Sequence, residues 1–220
     1  MKILLIDTCG ETGSVALADT ESAVPSALTA VFPGRRASEQ LTAAVRDLTA
    51  AVGVALPELG AVAVANGPGS FTGVRVGVSA AKGLSEALGI PLIAISRLAV
   101  LAQIRVGGPV LTVLDAGRGE FYCGLYDGDC TGQESLLSHA EVLEIAADRR
   151  QVVVCEPAVA EAFAELSPIV VEAPRAETAL PIVLRRIMAG EFDDIASVDA
   201  NYLRRTDAEI FAKQKAARTD

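Results

Sequence analysis

Two aspartates, Asp7 and Asp115, each end an apolar stretch with the length and composition of a buried strand. Carboxylates at such positions, together with substrate phosphates, can hold a magnesium–nucleotide complex for phosphoryl transfer. The side chains of Thr8 and Arg118 would then also face the nucleotide. Against this, Glu120 lies in the turn after Asp115, and a carboxylate that faces phosphate is unfavourable. The second interpretation, which stays open, is that both aspartates cap turns through side-chain hydrogen bonds.

Histidine and cysteine usage argues against a metal centre. The single histidine, His139, rules out HExxH zinc proteases and every site with a pair of histidine ligands. A Ser-His-Asp triad would have to use His139, whose context Ser138-His139-Ala140-Glu141 is typical of a helix start. Four cysteines are scattered without a CxxC pair, so neither a zinc site nor a disulfide framework is indicated. We expect no catalytic and no metal-binding residues.

A glycine-rich loop at 67–73 joins an apolar strand to a helix. It lacks the lysine of a P-loop and the third glycine of the dinucleotide fingerprint, so neither nucleotide motif is met. Ser70 or Thr72 can cap the helix. Within this helix, Gly73, Gly77 and Ala81 recur every four residues and form a stripe with almost no side chain. The stripe could pack on a second protein or on the chain's own sheet, and the spacing alone favours neither.

A second helix is predicted over 38–52, where Leu41, Val45 and Leu48 recur at intervals of four and three. Ser38 is the expected cap and Glu39 lies in the first turn, where a carboxylate is favourable. The helix is therefore amphipathic, with one face on the protein core.

The chain contains an internal duplication. Residues 3–19 align without a gap with residues 111–127, so that Leu17 matches Leu125 and each segment reads as strand, polar turn and strand. A further apolar strand follows later in each half. Each half is thus predicted to be one copy of a β-rich α/β unit. The break at Gly107-Gly108-Pro109 divides the chain into domains 1–106 and 107–220.

Composition limits the classes of protein that fit. The chain has 220 residues, 51% of them hydrophobic and 21% charged, as in a well-packed globular protein. No apolar run approaches the ~20 residues of a membrane span, and we expect a cytoplasmic protein. The net charge of -9 disfavours independent tight binding to nucleic acid. The C-terminal end is locally basic, and a solvated helix face or frayed tail is favoured there over RNA contact; its cations are Arg204, Arg205, Lys213, Lys215 and Arg218.

Six motifs in order span nearly the whole chain. They are Ile6-Asp7-Thr8, Arg36-Ala37-Ser38-Glu39, Gly67-Pro68-Gly69-Ser70-Phe71-Thr72-Gly73-Val74-Arg75, Ala81-Lys82-Gly83-Leu84, Asp115-Ala116-Gly117-Arg118-Gly119-Glu120 and Tyr202-Leu203-Arg204. With them the chain resembles the TsaB family, also described as bacterial glycoprotease-like. The resemblance implies a duplicated actin-like (ribonuclease-H-like, ASKHA) α/β fold in two lobes.

The resemblance also implies a function. TsaB proteins help to install threonylcarbamoyl on an adenosine next to the anticodon of transfer RNA, as non-catalytic partners of a TsaD-like paralogue that performs the transfer. A TsaE-like ATPase joins the complex, and TsaB also forms homodimers. We therefore expect no cofactor on this chain alone, ATP and magnesium in the assembled complex, and tRNA contacted only through the complex. The alternative from the residues alone is an actin-like phosphotransferase or ATPase. A peptidase has neither metal ligands nor a triad.

In the family the first two helices form the surface that binds the paralogue or a second TsaB copy. They match residues 38–52 and 72–88, which favours the partner-facing interpretation of the glycine stripe. The partner-binding residues implied in this way are Ser38, Glu39, Leu41, Val45, Gly73, Val74, Gly77 and Ala81. One departure concerns Ala37, which stands where the family usually has histidine, so an interface hydrogen bond from that histidine is absent.

Overall fold

The structure, a computed structural model, describes residues 1–21, 27–103, 108–127, 132–147 and 151–203. The strands of the first half are β1 (Lys2–Asp7), β2 (Thr12–Asp19), β3 (Ala27–Pro33), β4 (Leu59–Gly67) and β5 (Leu92–Ser96). Those of the second half are β6 (Val110–Gly117), β7 (Glu120–Tyr126), β8 (Gly132–Ser138), β9 (Gln151–Val154) and β10 (Ile169–Val170). The helices are α1 (Ala37–Ala51), α2 (Phe71–Leu88), α3 (Arg97–Ala102), α4 (His139–Ala146), α5 (Pro157–Ala162) and α6 (Leu180–Ala189).

The two halves have the same sheet topology. The first sheet has the order β3-β2-β1-β4-β5 and the second has β8-β7-β6-β9-β10. In each, the first two strands pair antiparallel, and the first and fourth strands pair parallel. This confirms the duplicated two-lobe α/β fold. The expected boundary between residues 106 and 107 and the basic tail from 204 onward lie outside the described residues.

A shared apolar core joins the lobes. The strands β1 and β4 are apolar almost throughout and are covered on both faces, as expected for central strands with parallel pairing. One core cluster contains Ile3 and Leu5 of the first sheet, Val110 and Leu114 of the second, and Val183 of α6. Because these side chains pack in one cluster, the lobes bury apolar surface against each other.

Helix α2 packs its glycine stripe on the chain's own sheet. Ser70 caps the helix and accepts a hydrogen bond from the Gly73 N–H at 3.3 Å. A Cβ at Gly73 would overlap the backbone oxygen of Thr8, and one at Gly77 would overlap its hydroxyl. Ala81 has no exposed surface. The interpretation of Gly73, Gly77 and Ala81 as a contact face for a second protein is therefore wrong, because Thr8 and the sheet fill that space.

Several other predicted partner-binding residues also lie in the core. Leu41 and Val45 of α1 and Val74 of α2 are buried in one cluster with the first sheet, so they are not available to a partner. Ser38 and Glu39 are exposed. Ser38 does not cap the helix, because α1 begins one residue earlier and its N-cap position is taken by Arg36 without a side-chain cap.

The segment at 190–203 runs along the first lobe. Asp193 forms a β-bridge with Leu92 of β5, and the N–H of Asn201 donates to the Asn66 carbonyl at 2.7 Å. The Lys82 ammonium donates to the carbonyl oxygens of Ala196 at 3.2 Å and of Val198 at 2.8 Å. This segment therefore covers one side of α2. Within the described ranges, no helix is long and apolar enough to cross a membrane.

The glycines of α2 differ in what surrounds them, which gives a stability prediction. In the described part of the chain, a Cβ at Gly83 would have no atom within 4 Å apart from its chain neighbours and the helix backbone, whereas one at Gly77 would overlap Thr8. We expect Gly83→Ala to stabilise the protein by about 0.5–1 kcal/mol, because alanine reduces backbone entropy in the unfolded chain. Gly77→Ala should destabilise it by about 1–3 kcal/mol through overpacking. Urea unfolding followed by circular dichroism measures both, and equal effects of the two substitutions would contradict the packing described.

Candidate functional site: the cleft between the lobes

The two strand-ending aspartates form the same turn in both lobes. Asp7 accepts a hydrogen bond from the N–H of Cys9 at 2.8 Å, and Asp115 accepts one from the N–H of Gly117 at 2.8 Å. In both, a carboxylate oxygen bonds the backbone two residues further on, which is the Asx turn. The interpretation that these aspartates cap turns is therefore confirmed.

Their surroundings nevertheless differ. Asp115 is exposed, whereas Asp7 is 3% exposed and its second carboxylate oxygen lies 3.4 Å from Nε of Arg97. Arg97 is the first residue of α3 and is 5% exposed. Burial by itself would lower the pKa of Arg97, but the Asp7 carboxylate and other nearby groups hold it above its usual value. The pair is thus a buried ion pair in which the protein's own cation neutralises Asp7.

An open cleft of about 800 Å³ lies between the lobes beside this ion pair. Its charged lining residues are Arg97 and Arg175 together with the carboxylates Glu11, Asp115, Glu156 and Glu172. Acidic groups thus outnumber basic groups, which opposes the binding of phosphate. Burial raises the pKa of Glu156, and one of its oxygens accepts a hydrogen bond from the Asp115 N–H at 2.7 Å.

The remaining predicted nucleotide-facing residues do not converge on Asp7 and Asp115. The hydroxyl of Thr8 is buried and donates to the Gly73 carbonyl at 2.6 Å, so it points toward α2. Arg118 is exposed in the β6–β7 turn with φ of 60°. It is absent from the described residues that line the cleft. The structure brings Asp7 together with Arg97, and Asp115 with Glu156, rather than the four candidates with one another.

The single histidine has a packing role. The ring of His139 stacks on Phe163, with centroids 4.7 Å apart and an interplanar angle of 9°. Its Nε2 lies 2.8 Å from the carbonyl oxygen of Ala162. His139 therefore packs at the start of α4 and takes no part in the cleft.

Sequence reasoning missed Arg97 and Glu156. Arg97 is the only charged residue in the apolar stretch from Leu92 to Ala102, and a charge in such a stretch requires a buried partner. The sequence therefore indicates that Arg97 has a buried partner. It does not identify that partner, because Asp7 is ninety positions away in sequence. Glu156 follows the buried strand β9 by two residues, where a carboxylate can reach the end of β6.

The ion pair of Asp7 and Arg97 gives a second stability prediction. Arg97→Met should destabilise the protein by about 3–5 kcal/mol, because it leaves an unpaired charge buried at Asp7. Adding Asp7→Asn to Arg97→Met removes that charge and should recover a large part of the loss. Thermal and urea unfolding of the single and double variants measure the coupling. Additive losses in the double variant would show that the two side chains do not act as a pair.

Comparisons with known proteins identify the family. The family model described as "TsaD: tRNA N6-adenosine threonylcarbamoyltransferase" matches residues 31–180. The chain is 38% identical over 136 residues to the tRNA threonylcarbamoyladenosine biosynthesis protein TsaB of Escherichia coli, an alignment that covers 60% of this chain and 58% of that protein. It is also 38% identical over 128 residues to the Bacillus subtilis protein of the same name, over 57% and 55% of the two chains. These alignments span little more than half of the curated relatives.

A solved structure extends the match to nearly the whole chain. It is that of an uncharacterized protein from Pseudomonas aeruginosa with similarity to peptidase YeaZ. The TM-score is 0.77 at 30% identity, and the match covers 92% of this chain and 99% of the other. Because the family model covers more than half of the chain and these relatives agree with it, the chain belongs to the TsaB (YeaZ-like) family.

Proposed function

We propose that this chain is a non-catalytic partner of a TsaD-like transferase in the threonylcarbamoylation of adenosine next to the anticodon of tRNA. It would act in the cytoplasm, where tRNA is modified. The names of the relatives support the pathway. The observation that carries the non-catalytic role is the ion pair of Asp7 with Arg97, which occupies the carboxylate that a phosphotransferase of this fold would need.

The charge of the cleft supports the same conclusion. A transferred phosphoryl group needs cations around its oxygens. Here the carboxylates outnumber the arginines of the lining, and Arg97 is engaged by Asp7. No observation favours the alternative of an actin-like phosphotransferase or ATPase. ATP and magnesium would enter the assembled complex through the TsaD-like protein and a TsaE-like ATPase.

The partner surface proposed here is the outward face of α1 and α2, opposite to the glycine stripe. On α2, Ser79 and Gly83 are exposed, while Val76 and Ala80 are half-buried. These residues are small enough for a second helix to approach closely. Among the described residues, no atom outside the backbone of α2 and the two chain neighbours comes within 4 Å of the Cβ position of Gly83, so this position can be contacted by a partner. On α1 the exposed residues of this face include the predicted Ser38 and Glu39.

At one position, α1 departs from the residue that the family usually has. Ala37 stands in place of the usual histidine and is itself buried. Glu39, two residues later, accepts a hydrogen bond from Arg36 Nε at 3.0 Å. We infer that association relies on shape and apolar contact along α2 more than on a hydrogen bond at position 37. In the absence of the TsaD-like protein, the same face would pair two copies of this chain.

A bulky residue at Gly83 should therefore prevent assembly. Packed helix axes lie ~8–10 Å apart, and an indole at the contact would force them apart. The chain and the TsaD-like protein of its own organism are mixed and analysed by size-exclusion chromatography with light scattering. We expect a one-to-one complex with the wild-type chain and separate proteins with Gly83→Trp.

The matched control is Ala140→Trp, which places the same side chain on an exposed position of α4 in the second lobe. It should leave the complex intact, and circular dichroism should show that both variants are folded. If Gly83→Trp assembles as well as Ala140→Trp, this face is not the contact. Gly77→Trp is unsuitable because it would disrupt the fold at Thr8.

The chain alone should not bind Mg·ATP. Calorimetric titration should give no heat, because Asp7 is held by Arg97 and the other carboxylates of the cleft repel phosphate. Competition by ADP should likewise be absent. Micromolar binding of ATP that is lost in Asp7→Asn would contradict the non-catalytic role and would restore the phosphotransferase hypothesis.

A further inference from the structure

An aromatic–arginine cluster lies at the exposed start of α2 beside the C-terminal segment at 190–203. It consists of Phe71, Arg75 and Tyr202. The guanidinium carbon of Arg75 lies 3.2 Å from the centroid of the Phe71 ring and 4.9 Å from that of the Tyr202 ring. The two ring centroids are 6.4 Å apart. Arg75 is thus held between two aromatic rings.

Both rings remain open to solvent in spite of these contacts. Phe71 is 61% exposed and Tyr202 is 41% exposed. Large exposed aromatic side chains grouped around an arginine are a common property of binding surfaces. The cluster is therefore a candidate contact site that the stability of the chain alone does not explain.

The cluster lies at the border of the proposed partner face, because Arg75 is four residues from Ser79. Phe71, Arg75 and Lys82 are four and seven residues apart, so they share one edge of α2. Gly83 is twelve residues from Phe71 and eight from Arg75, and therefore about 80–120° around the helix axis from the cluster. The segment at 196–201 runs along the first edge, where Lys82 holds it. Only the start of this edge, where the rings of Phe71 and Tyr202 are exposed, is thus open to a ligand while a protein covers the Gly83 face.

We propose that Phe71, Arg75 and Tyr202 bind an unpaired base of RNA, so that this chain contacts the tRNA directly. Aromatic rings and arginine planes are the groups on which unpaired bases stack, and the guanidinium N–H groups can also reach a phosphate. The proposal rests on the proposed function, which places this chain in a complex that acts next to an anticodon, within a single-stranded loop.

Charge favours RNA over an acidic or apolar protein segment at this place. The chain as a whole carries a net charge of -9, so a polyanion can approach only where cations are grouped. Arg75 lies on this edge, and Arg204 and Arg205 follow Tyr202 by two and three positions in sequence. An apolar protein segment would need no such cations, and its contact would more naturally extend across the small residues around Gly83.

A single new fluorophore tests the proposal. The chain has no tryptophan, so Tyr202→Trp places the only indole of the protein in the cluster and keeps an aromatic ring there. The probe is an RNA hairpin with the sequence of a tRNA anticodon stem and loop, titrated into the full chain at low salt. We expect the tryptophan emission to be quenched as a base stacks on it. The stem duplex without the loop should not quench it.

Second substitutions in the Tyr202→Trp variant show which residues of the cluster cause the quenching by the hairpin. Phe71→Leu removes one ring, and Arg75→Lys keeps the charge but removes the planar group. Each should weaken binding about tenfold or more, as expected for the loss of a stacking partner. The matched control Arg46→Ala removes an exposed arginine of α1 and should change the affinity much less. Raising the salt concentration should weaken binding of the hairpin throughout.

The results that would overturn the proposal are distinct from those that bear on the proposed function. No quenching by the hairpin, or equal affinities of Phe71→Leu and Arg46→Ala, would remove the RNA contact. A blue shift of the emission with the TsaD-like protein, combined with no response to RNA, would make the cluster a protein contact instead. Assembly with the TsaD-like protein is measured separately by light scattering. The RNA contact and the proposed function can therefore fail independently.

Discussion

The close approach of α2 to the end of β1 at Thr8 determines most of the surface described above. Thr8 is buried and donates its hydroxyl hydrogen to the Gly73 carbonyl, and only glycine fits at positions 73 and 77. With two glycines against one threonine, the helix can be rotated about its axis very little. In this fixed orientation of the helix, Val74 and Val78 lie in the core. As a result Gly83 faces outward, and the aromatic–arginine cluster lies beside that face.

The turn after β1 is fixed from several sides at once. Asp7 pairs with Arg97, the carbonyl of Cys9 accepts a hydrogen bond from the Ser70 N–H at 2.7 Å, and the Cys9 thiol donates to the Ala65 carbonyl at 3.2 Å. Burial raises the pKa of Cys9 well above its usual value, so the thiol keeps the hydrogen that it donates. In a phosphotransferase the corresponding turn would have to accommodate phosphate. Here the polar groups of Asp7, Thr8 and Cys9 already have partners within the protein, which connects β1 with β4, α2 and α3.

The duplicated strands could be predicted from sequence, whereas the orientation of α2 could not. The alignment of residues 3–19 with 111–127 depends on a local apolar pattern that each strand carries itself. The strands β3 and β8 lie at sheet edges and alternate between buried and exposed residues irregularly, so they gave no comparable signal. The stripe of Gly73, Gly77 and Ala81 indicates close packing but does not identify what packs there. Its partner Thr8 is far away in sequence, as Asp7 is from Arg97, and such pairs become visible only in the folded chain.

The C-terminal segment at 190–203 connects the two lobes. Asn201 donates from its backbone to Asn66 in the first lobe and from its side chain to Glu134 of β8 in the second, at 2.7 and 2.5 Å. Opening the cleft by a hinge would break this bridge and would also expose the core cluster that the lobes share. An enzyme that closes around a nucleotide needs such motion, but a scaffold benefits from its absence. Because the same segment carries Tyr202 to the side of Phe71, the connection that restrains the lobes also builds the exposed cluster on α2.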